Sequence, residues 1–264
     1  MARRTSNPLD RAPWGEDVLG PGDATFLQFA HAPCLTEVVE FLITLVDVSP
    51  SMLTTDLDPY RLAVACRANG QLITTKATKH PRDVVGVITF GGEARLRHRP
   101  VTVGDHAQSL LRSLKDLGCV DWTNFNAALT LAESVLLAPD KTTAKLACRV
   151  SRVLAKITGE DSRPASGAAE TSAAERSVKR IVLLSDGERT KGPSPVAIAE
   201  RLKARGVVID CIGIADRDKV DEAALKAIAS KNPDGSARYR FIKDGETLIR
   251  KYESLAGHIR PVEE

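Results

Sequence analysis

Hydrophobic positions along the chain fall into two alternating patterns. Runs that are apolar on both faces, "VVEFLITLVDV" (38–48), "DVVGVITFGG", "KRIVLLSDG" and "GVVIDCIGIA", predict central strands of a parallel sheet covered on each side. Between them lie segments with apolar residues at helical spacing. One extends to about Lys79 with Leu62, Cys66 and Ile73 on one side, capped and opened by Asp58-Pro59. Another, opened by Asp105, carries Leu110, Leu111, Leu114 and Leu117. A third carries Phe125, Leu129 and Leu136. Helices at about 194–205 and 221–230, a strand "YRFIK", and a last helix with Leu248, Ile249, Tyr252 and Leu255 complete the series. "ARLRHRPVTV" reads as a hairpin partner of the second strand, placing Arg95, Arg97 and Arg99 on one face of an antiparallel edge, where charge discourages further pairing. The expected fold is α/β: a doubly wound, mostly parallel sheet with one antiparallel edge strand and helices on both faces.

Two stretches depart from this alternation. Residues 1–36, rich in Pro, Gly and charge apart from a short apolar "FLQFA" that can form a strand, read as a partly disordered N-terminal extension to a domain at 37–258. Residues 139–178, with "TGEDSRPASGAAETSAAERS" at their centre, read as a flexible surface insertion in that domain.

Composition narrows the function classes. A net charge of +3 over 264 residues, without a concentrated basic stripe, gives no basis for nucleic-acid binding. No apolar run has the length of a membrane span, and no apolar core follows "MARR". Five cysteines without CxxC pairing, three of them (Cys66, Cys148, Cys211) inside apolar patterns, fit a reducing compartment, so a cytoplasmic location is expected. The five histidines show no ligand spacing.

The candidate chemistry lies where open parallel sheets place their ligands, outside the carboxyl ends of the strands. The first strand ends in "DVSPS", which brings Asp47, Ser49 and Ser51. A later loop brings Thr123, and the third central strand ends in Asp186, followed by Gly187 for the turn. A turn whose hydroxyls cap the following backbone explains one serine but not the Thr123 and Asp186 partners. Carboxylate and hydroxyl oxygens, with no His or Cys, suit a hard cation such as Mg²⁺.

This order resembles the von Willebrand factor A (VWA) family and its metal-ion-dependent adhesion site: Asp-x-Ser-x-Ser, a Thr in a separate loop, then an Asp ending a later strand. The likeness runs through roughly 37–257, and it suggests an intracellular, bacterial-type single-domain member. It implies a Rossmann-like fold and metal ligands at Asp47, Ser49, Ser51, Thr123 and Asp186. It further implies Mg²⁺ as cofactor, with Mn²⁺ and Ca²⁺ as further candidates, and a protein partner whose Asp or Glu completes the coordination. In such sites the hydroxyls ligate directly and the carboxylates often act through water, which leaves the ion electrophilic. The expected function is then a non-enzymatic protein–protein interaction module, often part of a multiprotein assembly, and in some relatives ligand engagement moves the last helix.

One departure stands out. Many relatives have small residues before the motif threonine, whereas this chain has Asp121-Trp122. Asp121 adds charge near the ion. Trp122 has two open placements: an exposed partner contact, or packing against Phe125 beneath the loop. Glu188 lies close enough in sequence to Asp186 to shape a partner's approach. Two alternatives stand beside the leading expectation. A Mg²⁺-dependent phosphohydrolase of haloacid-dehalogenase type also begins with a strand-end Asp, but it needs a second carboxylate where this chain has Ser49. A metal-independent scaffold is the other.

Overall fold

The computed structural model describes residues 38–120, 122–137, 177–187, 191–215 and 220–257. The N-terminal extension, its short "FLQFA" segment and nearly all of the expected insertion lie outside these residues. Ser177 and Val178, expected to belong to the insertion, instead open a strand, because their backbones pair with Val39 and Glu40.

Six strands form one sheet: β1 (Val39–Asp47), β2 (Val84–Phe90), β3 (Ala94–Thr102), β4 (Ser177–Ser185), β5 (Val207–Ile214) and β6 (Tyr239–Ile242), in the order β3-β2-β1-β4-β5-β6. All neighbours are parallel except β2 and β3. The switch point lies between β1 and β4, where the chain reverses its direction of travel across the sheet. Arg95, Arg97 and Arg99 are exposed on β3, an edge whose register shifts opposite Val85–Ile88.

Alternation along each central strand divides the core in two. On one face Leu42, Val46, Val182, Leu184, Ile212 and Ile214 pack against helices α1 (Arg61–Lys79), α2 (Val103–Ser113) and α6 (Gly245–Leu255). On the other, Ile43, Leu45, Ile181, Leu183 and Ile209 pack against α3 (Phe125–Leu136), α4 (Val196–Ala204) and α5 (Glu222–Ile228). Strands buried on both faces explain the continuous apolar runs in the sequence.

Two helix starts differ from expectation. Helix α1 begins at Arg61 with Tyr60, in extended backbone, at its N-cap, rather than being capped by Asp58. Its first backbone N–H is taken by the Thr54 carbonyl at 3.1 Å, so the loop supplies what a side-chain cap would have given. Helix α2 begins at Val103, two residues before Asp105. There the Val103 and Gly104 amides donate to Asp83 O and Pro81 O at 2.8 and 2.9 Å, which leaves Asp105 in the first turn beside the positive end of the helix dipole.

At the amino end of the sheet lies a buried ionic network. Lys76 Nζ, from α1, donates to Glu40 of β1 at 2.6 Å and to Asp83, before β2, at 2.5 Å. Arg180 of β4 donates to Glu40 at 3.2 Å, to Asp210 of β5 at 2.7 Å and to the Leu255 carbonyl ending α6 at 2.8 Å. Arg238 meets the other Asp210 oxygen at 2.9 Å. Three cations thus face three carboxylates. Lys76, Glu40, Asp83 and Arg180 are almost wholly removed from water, so each depends on its partners for compensation.

Removing one member should therefore cost far more than a surface ion pair would. Lys76→Met strands Glu40 and Asp83 and is expected to destabilise the fold by about 3–5 kcal/mol, read from urea unfolding at neutral pH. A loss below about 1 kcal/mol would show that the network adds little.

Candidate functional site

The site begins where β1 stops. Pro50 fixes the backbone at the start of a short 3-10 turn, Pro50–Leu53. Met52 drives the turn inward, since its side chain is fully buried among α1 and the sheet. The turn closes through Met52 N to Ser49 O (3.0 Å) and Thr54 N to Ser51 O (3.1 Å). This geometry puts Asp47, Ser49 and Ser51 side by side: the Ser49 amide donates to Asp47 Oδ1 at 2.8 Å, and the two serine hydroxyls lie 3.0 Å apart.

Strand β4 delivers the remaining carboxylate. Ser51 Oγ donates to Asp186 Oδ1 at 3.0 Å, joining residues 135 apart in sequence. Ser185 Oγ donates to Asp47 Oδ2 and in turn accepts the Gly187 amide at 2.8 Å. Gly187 is required here: its φ is +70°, and a Cβ would approach the Asp221 amide nitrogen to 3.0 Å.

Thr123 arrives on the loop before α3. Val120 N donates to Val48 O (2.9 Å), Asn124 N to Gly91 O (2.8 Å) and Lys191 N to Thr123 O (2.8 Å), which pins the loop across the ends of β1 and β2 with Thr123 fully buried. Gly91 allows the close approach, since a Cβ there would meet Val120 O at 3.0 Å and Trp122 O at 3.2 Å. Asn124 caps α3 by accepting the Ala127 amide. All five expected ligand positions thus converge on one edge of the sheet.

Of the two placements open for Trp122, the exposed one is found. It is 43% exposed, with a φ of +61°, and Lys191 Nζ sits 3.0 Å from its ring centroid as a cation–π partner. Phe125 packs beneath against Phe90 instead, with ring centroids 5.8 Å apart. Asp121 and Glu188 lie outside the described residues.

Besides Lys191, three contributors were not singled out from sequence: Ser185, Asp56 and Arg61. Arg61 is fully buried and donates from NH1 to Asp186 Oδ2 at 2.8 Å. Its Nε and NH2 grip Asp56 at 2.8 and 2.6 Å. Burial alone would lower the Arg61 pKa, but hydrogen bonds and charge from Asp56 and Asp186 outweigh it and the net shift is upward. The one signal in the sequence is the position of Arg61, directly before the apolar stripe of α1 that starts at Leu62.

Two acidic groups meet at this point. Burial, and then the Asp186 charge, push the Asp47 pKa up to about 7, against the opposing hydrogen bonds from Ser185 and Ser49. A buried pair of like charges is a place where a cation is stabilised. The donor set, two carboxylates and three hydroxyls, fits a hard divalent ion rather than a soft one. Among the described residues no group of three or more His, Cys, Asp or Glu could hold a metal, so a metal at this edge depends on the hydroxyls.

Comparison with known proteins identifies the family and the fold. Two family models, both for the von Willebrand factor type A domain, match residues 42–188 and 158–252. No curated protein matches the chain. Among solved structures, the conserved hypothetical protein BatB from Bacteroides thetaiotaomicron is 20% identical, covering 82% of this chain and 96% of its own, with a TM-score of 0.55. The SpRpn10 VWA domain is 18% identical over 84% of this chain and 100% of its own, with a TM-score of 0.56. Proximal thread matrix protein 1 from the mussel byssus, solved with a zinc-occupied MIDAS motif, is 16% identical over 83% of this chain and 48% of its own, again at 0.56.

The raised Asp47 pKa has a defined sign. Between the ordinary carboxyl value and about 7 the native state holds a proton that the unfolded chain has released, so stability of the metal-free protein falls as pH rises through that window. The slope from this group is at most about 1.4 kcal/mol per pH unit. Asp47→Asn should flatten that part of the curve, measured by urea unfolding in chelator from pH 4.5 to 8. A variant curve parallel to wild type would assign the dependence to other groups.

Proposed function

Because the chain belongs to the von Willebrand factor A family, we propose that it is a non-enzymatic docking module that binds a divalent cation, Mg²⁺ by donor chemistry, and through it an acidic side chain of a protein partner. One observation carries this reading: the hydrogen-bonded cluster of Asp47, Ser49, Ser51 and Asp186 oxygens at the switch point, where two buried carboxylates oppose each other. Domains of this family are in general protein-interaction modules. Asp47, Ser49, Ser51, Thr123 and Asp186 would hold the ion. When bound, it supplies positive charge at the surface of the site for a carboxylate to meet.

The chain's own residues do the rest. Asp47 is held rigid by the Ser49 amide and the Ser185 hydroxyl, so its oxygens need no reorganisation to face a cation. The rim offers apolar contact area: Leu53, two residues past Ser51, is 51% exposed, and Tyr60, directly before Arg61, is 37% exposed. With Trp122 they supply the kind of exposed aromatic and aliphatic anchors that dominate interfaces. Lys191 on the Trp122 ring adds a cation that favours an acidic partner.

Location and assembly follow in the same reading. Cys66 and Cys119, half-buried, and Cys211, buried, carry free thiols, and burial pushes the Cys66 pKa up to about 11, which is in keeping with unreactive thiols in a reducing, cytoplasmic setting. Among the described residues no helix is long and apolar enough to cross a membrane.

Metal-stripped protein should gain thermal stability with millimolar Mg²⁺ or Mn²⁺, by about 2.7 kcal/mol at 100 times the dissociation constant. The Ser49→Ala, Asp186→Ala double variant should show no such gain. Equal behaviour of the two proteins in differential scanning calorimetry would overturn the metal reading in favour of a metal-independent scaffold. Trp122→Ala should leave the metal-induced shift intact, since its side chain lies at the rim; a lost shift would place Trp122 in the metal site itself.

A further inference from the structure

Arg61 is an unusual neighbour for a cation site. A guanidinium with no exposed surface is held there by carboxylates on both sides, Asp56 through two nitrogens and Asp186 through one. The Asp186 oxygen it occupies, Oδ2, is the one not engaged by Ser51, whose hydroxyl donates to Oδ1. The interaction therefore does not compete with the Ser51 contact. It competes with anything else that would use Asp186 Oδ2, a divalent cation included.

The geometry points to a tethered counter-ion: we propose that Arg61, strapped by Asp56, stands in for a cation at Asp186 and opposes the divalent ion there, so that the Arg61–Asp56 pair grades the metal affinity of the site. This rests on the metal-binding reading above and adds to it a residue that regulates the same site. The physical basis is charge and reach. The Asp186 and Asp56 carboxylates lie on either side of Arg61, which returns one positive charge in a place screened from water, where interactions between charges are strong. Without Arg61, Asp186 would lose one cationic partner and could meet an ion with more of its charge. With it, part of that charge is already answered, and the bound ion keeps more of its own charge for a partner.

Tethering explains why the arginine stays. Its fork on Asp56 is fixed in direction, and Asp56 lies on the short connection into α1, five residues before Arg61. The Arg61 amide donates to Thr54 O, so the backbone at the start of α1 is pinned beside the turn that carries the serines. A lysine can bridge two carboxylates, as Lys76 does, but it could not grip Asp56 through two nitrogens in a planar fork while reaching Asp186.

The test is a calorimetric titration of Mn²⁺ into metal-stripped wild type, Arg61→Met, Arg61→Gln and Asp56→Asn, each checked for folding by circular dichroism. Arg61→Met and Arg61→Gln should bind Mn²⁺ at least tenfold more tightly than wild type, and Asp56→Asn several-fold more weakly. Opposite signs for the two partners are the signature; a merely structural role for the pair would weaken binding in all three. If Arg61→Met fails to fold, Arg61→Gln, which keeps a donor toward Asp186, carries the test. Silent wild type with binding in the Arg61 variants would uphold the counter-ion and overturn the metal reading for the native chain. Binding by wild type that is equal or tighter than in the Arg61 variants would overturn the counter-ion and leave the metal reading standing. Silence in every protein would overturn both.

Discussion

Two carboxylates, brought to the ends of adjacent central strands and cut off from water, set the terms for everything at the carboxyl edge of this sheet. Burial moves the Asp47 pKa toward neutrality, and the charge of Asp186 adds to that effect. Such a pair is tolerated only where protons, hydroxyl donors or cations answer it. Ser49, Ser51 and Ser185 supply hydrogen bonds, and Arg61 supplies charge. The Pro50 turn, the Gly91 contact and the positive φ of Gly187 read as conditions for bringing these groups together.

The opposite edge solves the same problem in the other way. There Lys76 bridges Glu40 and Asp83, Arg180 bridges Glu40 and Asp210, and Arg238 meets Asp210 as well. The carboxyl edge, by contrast, gathers Asp47, Asp56 and Asp186 around serine hydroxyls and the Arg61 guanidinium. A sheet stapled by ion pairs at one end and carrying clustered carboxylates and hydroxyls at the other has a natural division between holding the fold and presenting candidate ligand groups.

Much of this was legible in the sequence because each relevant feature is local. The alternation of apolar runs reports burial on both sheet faces, and Asp-x-Ser-x-Ser is a contiguous signal at a strand end. Thr123 and Asp186 were found because the motif prescribes an order. Arg61 was not, since an arginine at the start of a helix reads as a solvated end, and its partner Asp186 lies 125 residues away. The amino-edge network was equally hidden: Glu40, Lys76, Arg180 and Asp210 are joined only by the strand order. The misplaced helix starts have a related cause. Asp58 and Asp105 carry the chemistry of caps, but backbone carbonyls of Thr54, Asp83 and Pro81 take the first amides of the two helices, at Arg61, Val103 and Gly104, and so fix where each helix starts.

Helix α1 takes part in both edges at once. Arg61, its first residue, grips the ligand edge, and Lys76, fifteen residues on, grips the stapled edge, a separation of about 22 Å along the axis at 1.5 Å per residue. Such a helix acts as a strut bolted at both ends. It resists sliding along its own axis, because any displacement that relieves one bolt strains the other. A load applied by a docked partner at the ligand edge would therefore be carried down α1 into the ionic staple, rather than dissipated in the loops.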